Sequence, residues 1–105
     1  MANSYLCGNT IRMQGTFSDF DDVLVDPEVI KFIIYDYKQT KILTIVLGED
    51  NKLSTGVYFY DYIIPITPNS QIYYYEFYGE IGGKTSVSRG QFRATFVWIL
   101  NNRYT

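Results

Sequence analysis

The chain has 105 residues, enough for one domain with a single core and too few for two. Its composition is 47% hydrophobic, 18% aromatic and 19% charged, with eleven tyrosines and seven phenylalanines, which excludes an intrinsically disordered chain. A formal net charge of −2, no histidine and one cysteine (Cys7) exclude a basic nucleic-acid field, an imidazole base or ligand, an intramolecular disulfide and a thiolate zinc site.

In chain order, residues 1–7 read as an N-terminal arm. They are too short for a domain element, and they lack the basic and apolar regions of a signal peptide. Ile11–Phe17 alternates apolar and polar residues, the period of a half-buried strand. Asp19, Asp21, Asp22 and Asp26 form an acidic run across a turn. Its spacing does not match a calcium-binding helix–loop–helix, so a solvated turn is favoured over a calcium site. Val23–Val25 reads as a short strand ended by Asp26-Pro27.

Ile30–Tyr35 and Lys41–Leu47 are β-branched and aromatic strands around a turn at 37–40. A loop follows at Gly48–Lys52. Val57–Ile64 is the next strand, ended by Pro65, and Pro68-Asn69-Ser70 turns the chain. Ile72–Ile81 is the most aromatic strand. Gly82-Gly83 predicts a tight hairpin into Ser86–Phe96, where Gly90 marks a bulge or a close approach. No apolar run reaches the ~20 residues of a membrane-spanning helix.

These signals predict an all-β fold of about seven strands. A two-sheet antiparallel, immunoglobulin-like sandwich over 8–97 is favoured over a barrel, with residues 98–105 as a C-terminal tail. The rows Ile11/Met13/Gly15/Phe17, Ile30/Phe32/Ile34, Tyr58/Tyr60/Tyr62/Ile64, Tyr73/Tyr75/Phe77 and Phe92/Ala94/Phe96 are assigned to the core.

The opposite rows are Lys31/Ile33/Tyr35, Tyr74/Glu76/Tyr78 and Arg89/Gln91/Arg93. They would share one outer face rich in tyrosine and arginine, the residues enriched at protein interfaces. The competing reading is a solvated sheet stabilised by cross-strand pairs. Trp98, Ile99 and Leu100 belong to a run apolar on both faces, which suits partner docking better than an ordinary last strand. The candidate partner-binding residues are therefore Ile33, Tyr35, Tyr74, Tyr78, Arg89, Arg93, Trp98, Ile99 and Leu100.

No catalytic residue, metal site or cofactor is expected. Cys7 has no histidine to activate it and reads as a small buried hydrophobe. Asp61 and Glu76 are the one carboxylate pair considered for glycoside hydrolysis, and Asp61 lies opposite the tyrosine row. Gly82-Gly83-Lys84-Thr85 lacks the upstream glycine of a phosphate loop and joins two strands.

The ordered set Gly8-Asn9-Thr10, Gly15-Thr16-Phe17, Leu24-Val25-Asp26-Pro27, Ile34-Tyr35-Asp36, Ser54-Thr55-Gly56-Val57-Tyr58, Tyr73–Phe77 and Arg89–Phe92 resembles small immunoglobulin-like or macroglobulin-like sandwich proteins of tailed bacteriophages. The family's turn after the tyrosine–aspartate pair, Asp-Pro-x-Gly, is replaced here by Asp36-Tyr37-Lys38-Gln39. The resemblance implies a non-enzymatic virion protein made in the bacterial host cytoplasm. Its partner would be the major capsid protein or another virion protein, with homo-oligomerisation as a further option and no nucleic-acid or membrane partner. An accessory head protein (capsid decoration or head-fibre-associated) is the leading expectation. A head-to-tail joining or tail protein is the alternative, and a cell-surface adhesin or carbohydrate-binding module is the alternative from another class.

Overall fold

The computed structural model describes residues 3–66 and 70–95. Eight strands occur in these segments: β1 (Asn3–Leu6), β2 (Thr10–Thr16), β3 (Val29–Tyr35), β4 (Lys41–Val46), β5 (Lys52–Ser54), β6 (Val57–Ile63), β7 (Gln71–Ile81) and β8 (Lys84–Thr95). A single 3-10 turn, Glu49–Asn51, precedes β5.

The strands form a five-stranded sheet ordered β1-β8-β7-β3-β4 and a three-stranded sheet ordered β2-β6-β5. In immunoglobulin nomenclature β2, β6 and β5 stand as strands B, E and D. Strands β3, β7 and β8 stand as C, F and G, with β4 added beside β3 as in a variable-type sheet. Every pair is antiparallel except β1 with β8. The fold is an all-β, immunoglobulin-like two-sheet sandwich.

Two sequence expectations change here. Asn3–Leu6, read as part of an N-terminal arm outside the domain, is a strand of the sandwich and pairs in parallel with Phe92–Thr95 of β8. Four residues suffice because β8 supplies the ladder and Tyr5 packs edge-on against Phe92, their ring centroids 6.3 Å apart. Val23–Val25 is not a strand. One isolated bridge, Ser18 with Leu24, and the Val25 N–H donating to Phe17 O (3.1 Å) hold that loop. Phe96, Val97, the turn residues Pro68 and Asn69, and the tail 98–105 lie outside the described residues.

The alternating rows are inward, as expected. Ile11, Met13, Phe17, Ile30, Phe32, Ile34, Tyr58, Tyr62, Ile64, Tyr73, Phe77, Phe92 and Ala94 are buried together, with Tyr60 and Tyr75 packed against them. Phe32 is central. Its ring stacks on Tyr60 across the sandwich at 4.8 Å and tilts against Phe77 at 5.0 Å.

An immunoglobulin domain commonly links strands B and F by a disulfide. A single cysteine forbids that here; β2 and β7 meet through Gly15 and the Phe77 ring, which occupies the space a side chain at residue 15 would need. Gly79 receives the Phe17 ring in the same way, and Gly90 receives Tyr75. Gly90 is thus a close approach and not a bulge, since β7–β8 pairing runs unbroken from Gln71–Ala94 to Ile81–Lys84.

The acidic turn is anchored by Asp26. Its carboxylate accepts the Gly56 N–H (2.8 Å) and the Lys52 ammonium (2.7 Å), tying the 18–27 loop to the β5–β6 hairpin. Gly56 can fill this corner because its φ of +74° suits glycine and a side chain there would strike Phe17 O.

Candidate partner-binding face

Register places the outward rows of β3, β7 and β8 side by side. Ile33, Glu76 and Arg89 are opposite one another, Tyr35, Tyr74 and Gln91 form the next row, and Lys31, Tyr78 and Val87 the row before. The shared outer face expected if these three strands are sheet neighbours is therefore present.

Its centre is not exposed as expected. Ile33 is only 5% exposed and Glu76 only 6%. Both sit mid-sheet, flanked on each side by strands carrying long side chains, so neighbours cover them from above. Ile33 is accordingly a supporting residue under the face rather than a contact on it.

Glu76 is the keystone. Its Oε1 accepts the Arg89 Nε–H at 2.8 Å and a Tyr35 hydroxyl at 3.5 Å, the outer limit of a hydrogen bond. The Arg89 side chain remains 69% exposed, so the pair is buried at the carboxylate and open at the guanidinium. The hydrogen bond from Arg89 to Glu76 holds the guanidinium pKa above its ordinary value. Burial, then the Glu76 charge, raises that of the Tyr35 hydroxyl, which stays protonated as a donor.

Around this pair is an open depression of about 380 Å³, lined by Tyr35, Gln39, Tyr74, Glu76, Arg89 and Gly90. Gln39 was not expected here. The Asp36 carboxylate accepts the Lys38 and Thr40 N–H groups (both 2.9 Å), and Gln39 takes a φ of +65°, so the β3–β4 turn folds to the rim. The signal available in the sequence was Asp36 followed by a short polar turn, an Asx-turn pattern.

The remaining outward candidates separate into flanking patches. Tyr78 donates to Glu80 (2.9 Å) and lies under the Lys31 ammonium, 5.7 Å from its ring centroid. Arg93 pairs across from Ile72 and lines a different depression with Tyr37, Ser70, Gln71 and Ile72. Trp98, Ile99 and Leu100 lie outside the described residues.

The other chemistries read from the sequence are taken apart by the fold. Asp61 is on the outer face of the three-stranded sheet, forked by Arg12 at 2.7 and 2.9 Å. Glu76 is on the outer face of the other sheet, so the two carboxylates cannot flank one bond. In the acidic run, Asp19 accepts the Asp21 and Val23 N–H groups, while Asp26 serves Gly56 and Lys52. Among the described residues no group of three or more carboxylate or cysteine side chains is placed to hold a metal. Among the same residues, no helix is long and apolar enough to cross a membrane.

Comparison of the chain with protein-family models, with curated proteins and with solved structures finds no match.

Proposed function

We propose that the chain is a non-enzymatic structural protein of a tailed-phage virion, an accessory head protein that grips the capsid through the outer face of its five-stranded sheet. The observation that carries the binding reading is the half-open Glu76–Arg89 pair between Tyr35 and Tyr74. A buried carboxylate fixes an arginine fork whose outer nitrogens face solvent, with aromatic rings beside it. Preorganised arginine and tyrosine of this kind are what concentrates binding energy at protein interfaces. The phage assignment rests on the ordered sequence resemblance, and the apolar run Trp98-Ile99-Leu100 supplies a second contact.

The mechanism is geometric. Each copy presents one rigid patch, and a symmetric shell repeats its partner many times, so contacts that are weak singly add into a stable coat.

The test is incorporation of Tyr74→Ala/Tyr78→Ala into virions, beside Arg12→Ala on the opposite sheet. The double variant is expected to fold and to be lost from heads, while Arg12→Ala is retained. Retention of a folded Tyr74→Ala/Tyr78→Ala protein would remove this face as the capsid contact. A closed ring of the purified protein in negative stain would favour head-to-tail joining instead.

A further inference from the structure

The sandwich has four edge strands among the described residues, and three of them are protected. β1 has four residues and β5 three, too short to template much pairing. β2 carries Arg12 in its interior, locked onto Asp61. β4 is neither that short nor crossed by an ion pair; its one irregularity is a register shift against β3 that leaves Ile42, near its start, without an opposite residue, while Leu43–Val46 pair regularly. It is six residues long and paired on one side only, and its sole charge is Lys41 at the first position.

The side chains of β4 divide cleanly. Leu43 and Ile45 pack against the core, while Ile42, Thr44 and Val46 are exposed, Val46 at 71%. The fully exposed charges around the strand are also divided, with the half-buried Asp36 inside the basic turn and the half-buried Lys31 opposite Val46 as the exceptions. Lys38 and Lys41 stand at its start, and Glu49 and Asp50 follow its end, all exposed.

We infer that β4 is a self-association edge whose partner is the β4 of a second copy, paired antiparallel about a two-fold axis through Thr44. An antiparallel pair within one sheet keeps both copies' outer faces on the same side. The axis at Thr44 then sets Ile42 of each copy opposite Val46 of the other, covering the two apolar side chains that each edge leaves open. The same operation brings the basic turn of each copy to the acidic end of its neighbour, so the strand's charge pattern is self-complementary only in the antiparallel sense. The two five-stranded sheets become one of ten strands, and two Glu76–Arg89 faces lie side by side. The inference stands independently of what those faces bind.

Sedimentation of the full chain over a range of concentrations tests it. A reversible dimer is expected below about 1 mM. Val46→Gln, a neutral change at an exposed position opposite Lys31, is expected to weaken it severalfold without moving the thermal melt. Lys38→Glu/Lys41→Glu should weaken it comparably. Adding Glu49→Lys/Asp50→Lys to the same chain should restore it, because reversed charges on both ends are again complementary. A chain monomeric throughout that range would overturn the inference. So would a dimer indifferent to both the Val46 and the charge variants, or one lost only in Tyr74→Ala.

Discussion

Gly15 on β2 lies directly beneath the Phe77 ring of β7, and the absence of a side chain at one is the condition for the position of the other. This contact joins β2 of one sheet to β7 of the other, because the aromatic ring crosses the core and needs a matching hollow.

Gly15→Ala is therefore expected to destabilise the fold. A Cβ at residue 15 would collide with Phe77 Cβ and Cγ, near the root of the side chain, where rotation gives little relief. The overpacking cost is about 1–3 kcal/mol, read as a lowered denaturant midpoint at unchanged slope. A midpoint equal to that of the parent would show that the ring has room to move aside.

Ile33 and Tyr74 share an outer face but should behave differently. Ile33→Ala opens a cavity at a buried site and is expected to cost about 2 kcal/mol. Tyr74→Ala trims a partly exposed ring and should leave the melt nearly unchanged. Equal losses for the two would mean that the face is a structural layer rather than a surface for a partner.

Arg89→Ala leaves the Glu76 carboxylate buried without its charged partner and is expected to destabilise. Adding Glu76→Gln should recover much of the loss, since a neutral amide tolerates burial better than an unpaired charge. A double-mutant cycle by chemical denaturation checks this, and strict additivity of the two substitutions would contradict it.

Stability should be flat across neutral pH and fall at both extremes. The Lys52 ammonium and the Gly56 N–H hold the Asp26 carboxyl below its ordinary pKa, and Arg12 does the same for Asp61. Groups depressed in the folded state contribute stability above the unfolded pKa and lose it as pH falls, here below about pH 4. Tyr35, Tyr58, Tyr62 and Tyr73 are raised, chiefly by burial, and Tyr78 chiefly by its hydrogen bond to Glu80. Their contribution is complete below the unfolded pKa and is lost as pH rises beyond about 10. No histidine titrates between these limits. Thermal melts from pH 3 to 11 should show a plateau with two shoulders, the acid one reduced in Asp26→Asn. A slope near pH 6–7 would argue against this assignment.

What the sequence determined by itself was the inward face of each long strand. Alternation is a local property: Ile11 and Met13, or Ile30, Phe32 and Ile34, point the same way whatever they pack against. Gly82-Gly83 likewise specified its hairpin, because two positive φ angles in succession suit little else. Only tertiary structure decided that Ile33 and Glu76 are covered, since burial on an outer face depends on which strands stand alongside. Glu76 meets Arg89 across one hairpin and Tyr35 from a strand 41 residues away. The docking of β1 on β8 was equally invisible: its four residues have little strand preference of their own, and the pairing energy comes from an edge at the far end of the chain.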